Sequence, residues 1–166
     1  LLADPSSDPS TVTFHLGGGH SIVVGLMSAP VPGGEADAKA EYSLSAMGTG
    51  WTLPVHRAHL VVVPVFQEKR TPLKRLGAFT RRVLGNEKKL PDVDRLIAFT
   101  RAVAAIVSAS GAVGVYLGAA NATHAARFFV DIASTDEPPA MLMVWNGVSV
   151  AKDGDRVSLL SLGMSQ

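Results

Sequence analysis

Apolar positions change period several times along this chain, and each change marks an element. The opening LLADPSSDPS (1–10) is polar and proline-bearing and reads as a loose lead. VTFHL (12–16) and SIVVGLM (21–27) are β-rich runs. The GGGH between them supplies glycines for the positive φ angles of a tight hairpin. APVPGGEAD (29–37) then breaks the pattern with two prolines and two glycines. Residues 39–50 fit either a short helix or a loop. AHLVVVPVF (58–66) is continuously apolar, which suits a strand buried on both faces. Pro64 has no amide to give a ladder, which assigns it to an edge, an end or a bulge.

The period then becomes helical. In TPLKRLGAFTRRVLGN (71–86), Thr71 is a good N-cap and Pro72 fits the first helical position. Leu73, Leu76, Phe79 and Val83 form an approximate apolar stripe, and Gly85 is a stop. A second helix is expected from Pro91 or Asp92 to about Ala109, with Val93, Leu96, Ile97, Val103 and Val107 inward and Gly111 as its terminator. AVGVYLG (112–118) reads as a strand. Thr123 is the expected N-cap of a third helix that carries Ala125, Phe128, Phe129 and Ile132 inward and ends at DEPP. MLMVWNGVSVA (141–151) and RVSLLSLG (156–163) read as a final hairpin turning at Asp153-Gly154. The order predicts an α+β fold: a mixed, mainly antiparallel sheet with about three helices packed on one face, forming a single domain over residues 11–166.

Composition narrows the chemistry. The chain has no cysteine, which excludes disulfides, thiolate nucleophiles and cysteine-type zinc sites, and suits a reducing cytoplasm. No apolar run is long enough for a membrane span, and the first residues lack the basic and apolar regions of a signal peptide. The net charge of +1 implies no global attraction for a polyelectrolyte, but its distribution is uneven. Residues 67–95 hold nine basic residues against four acidic ones, a net of +5 that leaves −4 elsewhere. Lys74 and Arg81, and Arg75 and Arg82, are each seven apart and would project from nearly the same helix faces. The simple reading is a solvated face. The sharper one is a docking surface for an acidic protein partner. Nucleic acid is disfavoured, because only Phe66 and Phe79 are nearby aromatics and no stacking platform results.

Catalytic signatures are absent from the sequence. There is no G-x-S-x-G elbow, no phosphate-cradling glycine loop and no carboxylate pair placed for acid–base work. His56 and His59 form an H-x-x-H pair that a strand would send to opposite faces, so they would not chelate one metal together. Neither a metal site nor a cofactor is implied, and no catalytic residue is assigned. The best candidate ligand site is the turn from strand 112–118 into the third helix, with Tyr116, Asn121 and His124. A histidine at a helix start is expected to stay neutral, because the helix dipole disfavours a cation there. Trp51 and Trp145 both read as core rings, with an exposed Trp51 as the alternative that would favour a binding surface.

Four stretches carry a family resemblance: VVGLMSAPVP (23–32), HRAHLVVVPV (56–65), GAVGVYLGAANATHAARFFVD (111–131) and MLMVWNGVSVAKDGDRVSLLSLGM (141–164). In order and spacing the chain resembles bacterial domain-of-unknown-function family 4261. Leu117 stands where such proteins carry tryptophan, and Ser161 stands near their usual threonine. Against that family the basic segment 67–92 reads as an insertion, and relatives continue past the position of Gln166. The resemblance therefore implies a missing C-terminal portion, supplied by the chain itself or by another polypeptide. It also implies an immunity or secretion-accessory role. Two functional readings follow: a bacterial protein-interaction domain, and a small-molecule-binding domain or enzyme with its site at residues 116–124.

Overall fold

The computed structural model describes residues 2–4, 10–17, 20–66, 93–154 and 156–162. The basic segment 67–92, with its expected amphipathic helix, lies outside the described residues. The architecture is α+β, as the pattern predicts. Among the described residues, however, the strands form three separate antiparallel sheets rather than one mixed sheet. Five α-helices are described where about three were expected.

The largest sheet has four strands in sequential order: β1 (Leu2–Asp4), β2 (Thr11–Gly17), β3 (His20–Met27) and β4 (His59–Phe66). β2 and β3 form the expected hairpin, with Val12 opposite Val24 and a register shift between His15 and Gly17. Three residues of the lead expected to be loose are paired instead, with Leu2 opposite His15 and Asp4 opposite Thr13.

β4 pairs with β3 over its full length, from His59 opposite Met27 to Phe66 opposite His20. It is an edge strand among the described residues, which is where a strand tolerates Pro64. It is not buried on both faces. Alternate side chains point to opposite sides of a sheet. Val62 on one side packs toward the core, whereas Val61, Val63 and Val65 on the other are 38–47% exposed. Composition alone could not distinguish a doubly covered valine run from one left open.

The segment between β3 and β4 is helical in short pieces: α1 (Glu35–Ala38), a 3-10 turn (Ala40–Tyr42) and α2 (Leu44–Thr49). Ser43 caps α2, its hydroxyl accepting from the Ala46 amide at 3.2 Å, and Gly50 ends it at φ 66°. These are strong local signals. The pieces are too short to show an apolar stripe, which is why the sequence left them open.

The main helix α3 (Val93–Ser110) matches its expected span, and Gly111 follows it at φ 66°. It buries Thr100, Val103, Ala104 and Val107 on one stripe. These residues pack with α4 (Ala126–Ala133), the helix that was expected to begin at Thr123. The core is Val103, Ala104, Val107, Phe129, Ala133 and Val144. Residues 122–125 form β6 instead, paired with β5 (Gly114–Leu117). The Thr123 hydroxyl does not cap a helix but donates to the Ala36 carbonyl at 2.6 Å. α4 starts with no side-chain cap, and the Ala126 amide is satisfied by the Val113 carbonyl at 3.3 Å.

The second correction concerns MLMVW. It is helical: a 3-10 turn (Pro138–Met141) running into α5 (Leu142–Trp145). Two prolines at the first helical positions suit this start. The burial pattern is that of a helix, with Met141 and Val144 fully buried three residues apart while Leu142 and Met143 face outward. A short apolar run cannot declare strand or helix by periodicity alone. The final hairpin is β7 (Gly147–Asp153) with β8 (Arg156–Leu162), closed where Asp153 pairs with Arg156 and Gly154 adopts φ 59°.

Trp145 is therefore at a helix end rather than in a strand. Its indole N–H donates to the Thr100 hydroxyl at 2.8 Å, and that hydroxyl donates on to the Leu96 carbonyl. Thr100 is 3% exposed, so water cannot replace it. Thr100→Val keeps the volume and leaves the indole donor unpaired. The expected loss of stability is about 1–3 kcal/mol, measured by urea denaturation followed at the tryptophan emission.

Candidate functional site

The β5–β6 hairpin contains the three residues that the sequence singles out, and it separates them. Tyr116 is opposite Thr123, and Val115 is opposite His124. Residues facing each other across a ladder share a face, and the next pair takes the other face. Tyr116 and Thr123 thus look one way and His124 looks the other. Asn121 is in the connecting turn at φ 52°, its amide bonded to the Gly118 carbonyl at 3.2 Å. Asparagine tolerates this left-handed geometry better than most residues, so the turn accounts for it.

The Tyr116–Thr123 face holds the short-helix segment. The Tyr116 hydroxyl donates to Glu35 Oε1 at 2.6 Å. Its pKa is pushed up to about 12, chiefly by burial and then by the hydrogen bond and charge of Glu35. Tyr116 is therefore a neutral donor at physiological pH. Thr123 bonds Ala36 through its hydroxyl and Lys39 through its amide, and the Ala125 amide donates to the buried Ser45 hydroxyl at 3.0 Å. Ser45 also exchanges a hydrogen bond with Ser43. This polar seam was not legible in the sequence, because its members are scattered serines, a threonine and a glutamate with no common spacing.

His124 faces the core. It is fully buried, stacked on the Phe128 ring at 5.8 Å between centroids, and its Nε2–H donates to the Val144 carbonyl at 3.2 Å. Its Nδ1 has no hydrogen-bond partner among the described residues. Burial pushes its pKa down to about 4, against a smaller upward pull from the Val144 carbonyl. The ring is neutral as expected, but the cause is desolvation, since His124 lies in β6 and not at a helix start.

The other histidine pair does meet a common target. The Val31 amide donates to His56 Nε2 at 3.3 Å, and His59 Nδ1 donates to the Ala29 carbonyl at 2.7 Å. Two of the sequence stretches noted above, SAPVP and HRAH, are joined by these bonds. An amide can only donate, so His56 Nε2 must be unprotonated and the neutral ring carries its proton on Nδ1. Among the described residues, no three histidines or carboxylates gather to hold a metal. Lys74, Arg75, Arg81 and Arg82 lie outside the described residues.

What the tertiary structure adds is a groove. An apolar cavity of about 800 Å³ runs between β4 and α3 and reaches the β5 strand. Val62, Leu96, Phe99 and Val115 line it and are half-buried, while Val103 and Phe129 lie at its buried base. Tyr116 borders it, and Asn121 and His124 do not. The exposed Val55 and Leu60 and the half-buried His56 and His59 are its outermost lining residues.

The described residues form an α+β fold with an open apolar strand face beside an apolar groove. No family model, curated protein or solved structure matches this chain. Among the described residues, no helix is long and apolar enough to cross a membrane.

Proposed function

We propose that this chain is a bacterial protein-interaction domain and that β4 is its partner surface. The carrying observation is the row of Val61, Val63 and Val65, exposed on one face of β4, which among the described residues is an edge strand with no Asp, Glu, Lys or Arg. Proteins ordinarily protect such edges with charge, because an open apolar strand is a template for pairing. Met27, exposed at the end of the neighbouring β3, continues the apolar surface. An immunity or secretion-accessory role is what the family resemblance would add. The basic residues 74–82 offer a second, electrostatic contact for an acidic partner.

Val63→Glu tests this reading, because it places a charge at the centre of the row while removing little buried surface. Used as paired baits in bacterial extract, the unaltered chain should retain a specific protein that the variant binds at least about tenfold more weakly. Equal recovery on both folded baits would remove β4 as the surface. The small-molecule alternative keeps one supporting observation, the groove, but with its site moved from residues 116–124 to the space between β4 and α3.

A further inference from the structure

We propose that the groove takes an added β-strand: an extended segment of a partner protein, apolar at alternate positions, that pairs with the free edges of β4 and β5 together. This rests on the interaction-domain reading above and names the form the partner takes. Backbone direction carries it. The Leu26 amide donates to the Ser10 carbonyl at 2.8 Å, which continues the β2–β3 register by one pair. Bonded pairs alternate along an antiparallel strand, so Leu26, Val24 and Ile22 turn their backbone groups to β2, and Gly25, Val23 and Ser21 turn theirs to β4. The partners of these last three, Val61, Val63 and Val65, are bonded inward. Leu60, Val62 and Pro64 therefore present their backbone groups to the other edge. Pro64, which has no N–H, costs the β3–β4 ladder no bond there. The same reasoning orients β5. The Ala126 amide donates to the Val113 carbonyl at 3.3 Å, one pair beyond Gly114 and Ala125. Val113 and Val115 thus bond toward β6, and Gly114 and Tyr116 turn their N–H and C=O groups to the free edge.

All of these outward-facing residues, Leu60, Val62, Pro64, Gly114 and Tyr116, line the one groove of about 800 Å³. Among the described residues, β4 pairs only with β3 and β5 only with β6. Two rows of backbone donors and acceptors therefore border the same cavity without a ladder partner. An open edge is a template for another strand, and an extended backbone offers donors and acceptors at the matching alternate spacing on both of its sides. Neighbours on a ladder share a face. Residues of the added strand beside Leu60 and Val62 would meet the core side of the sheet, where Phe99 and Val103 line the groove. Those alternate positions need apolar side chains. Val61 also lines the groove, so the slot is continuous with the exposed valine row.

The test screens the full chain against a library of peptides of about six residues, with valine, isoleucine, leucine or phenylalanine at alternate positions, serine or threonine between them and lysine at both ends. Selected peptides are expected to bind saturably by calorimetry. N-methylation of alternate residues removes the donors of one edge and leaves the side chains unchanged. It should weaken binding at least about tenfold whichever alternate set is methylated, because both edges are used. Leu60→Arg, a change at an exposed lining residue, should weaken binding by a similar factor, with a circular dichroism melt to show that the variant is folded. No retained peptide overturns the proposal, as does tolerance of either methylated set or indifference of the folded chain to Leu60→Arg. Retention only after residues 67–92 are replaced by a glycine-serine linker would give the slot to the chain itself and overturn it. A dimer that excludes the peptides would give it to a second copy, with the same result. If Val63→Glu loses its partner from extract while no peptide binds, β4 stands as a surface and the strand slot alone fails.

Discussion

Gly147→Ala is expected to destabilise the chain by more than about 3 kcal/mol, enough to leave much of it unfolded at 37 °C. A β-carbon at this position would fall on the Ala120 backbone carbonyl, and the Ala122 side chain lies 3.4 Å away. Gly147 is buried and has no positive φ, so the requirement comes from close approach rather than from backbone conformation. The carbonyl belongs to the β5–β6 turn and cannot rotate away as a side chain could. Gly147 is thus where the start of β7 rests against that turn. Gly114→Ala is the contrast. Its added carbon would meet Leu53 Cδ1 at 2.7 Å, a movable side-chain end, and the His124 carbonyl at 3.2 Å. About 1–2 kcal/mol is expected there. Urea denaturation of the two variants checks the order, and equal losses would refute the distinction between backbone and side-chain obstruction.

Acid should destabilise the chain through His124 in a defined window. Its folded pKa is about 4, below the ordinary 6.5, because burial disfavours the charged ring. Between those values the unfolded chain binds the extra proton and the folded chain does not. The contribution of the neutral ring is fully present above pH 6.5, is lost as pH falls toward 4, and changes no further below that. The total is on the order of 3 kcal/mol. The described surroundings of the ring, Phe128 and the Val144 carbonyl, supply no counter-charge to offset it. Carboxylates titrate near the same range, so the comparison is with His124→Met, which keeps an apolar group of similar size. The variant should be less stable at pH 7 and should show a shallower fall from pH 6.5 to 4.5. Parallel curves would show that another group carries the acid response.

Both predictions involve the stretch that the sequence marks most strongly, residues 111–131, one through the Ala120 carbonyl that Gly147 abuts and the other through His124, and neither could be written from the sequence. Strand β5, helix α3 and the glycine between them were legible, because eighteen helical residues with an apolar stripe and a left-handed terminator are local facts. Thr123 was misread because a threonine before an apolar helix is a good cap by local rules. In the fold its hydroxyl and amide are instead used on Ala36 and Lys39, more than eighty residues earlier in the chain. The same holds for MLMVW, whose five residues are too few to separate a period of two from one of 3.6.

The candidate site divides along the same line. Choosing Tyr116, Asn121 and His124 required only their proximity in sequence, but a strand sends neighbours to alternate faces and the turn takes the asparagine. Tyr116 holds Glu35, and His124 stacks on Phe128 in the core. The spacing of the H-x-x-H pair argues only about a shared metal, whereas its joint hold on residues 29–31 depends on a chain reversal that spacing does not encode. Local pattern alone establishes which residues are apolar, where α3 and the β2–β3 and β7–β8 turns lie, and that no cysteine chemistry is available. Which face of β4 stays open, where a groove is left, and why Gly147 has no side chain were decided by packing between distant segments, because burial, close approach and hydrogen-bond partnership are properties of pairs of elements rather than of any one of them.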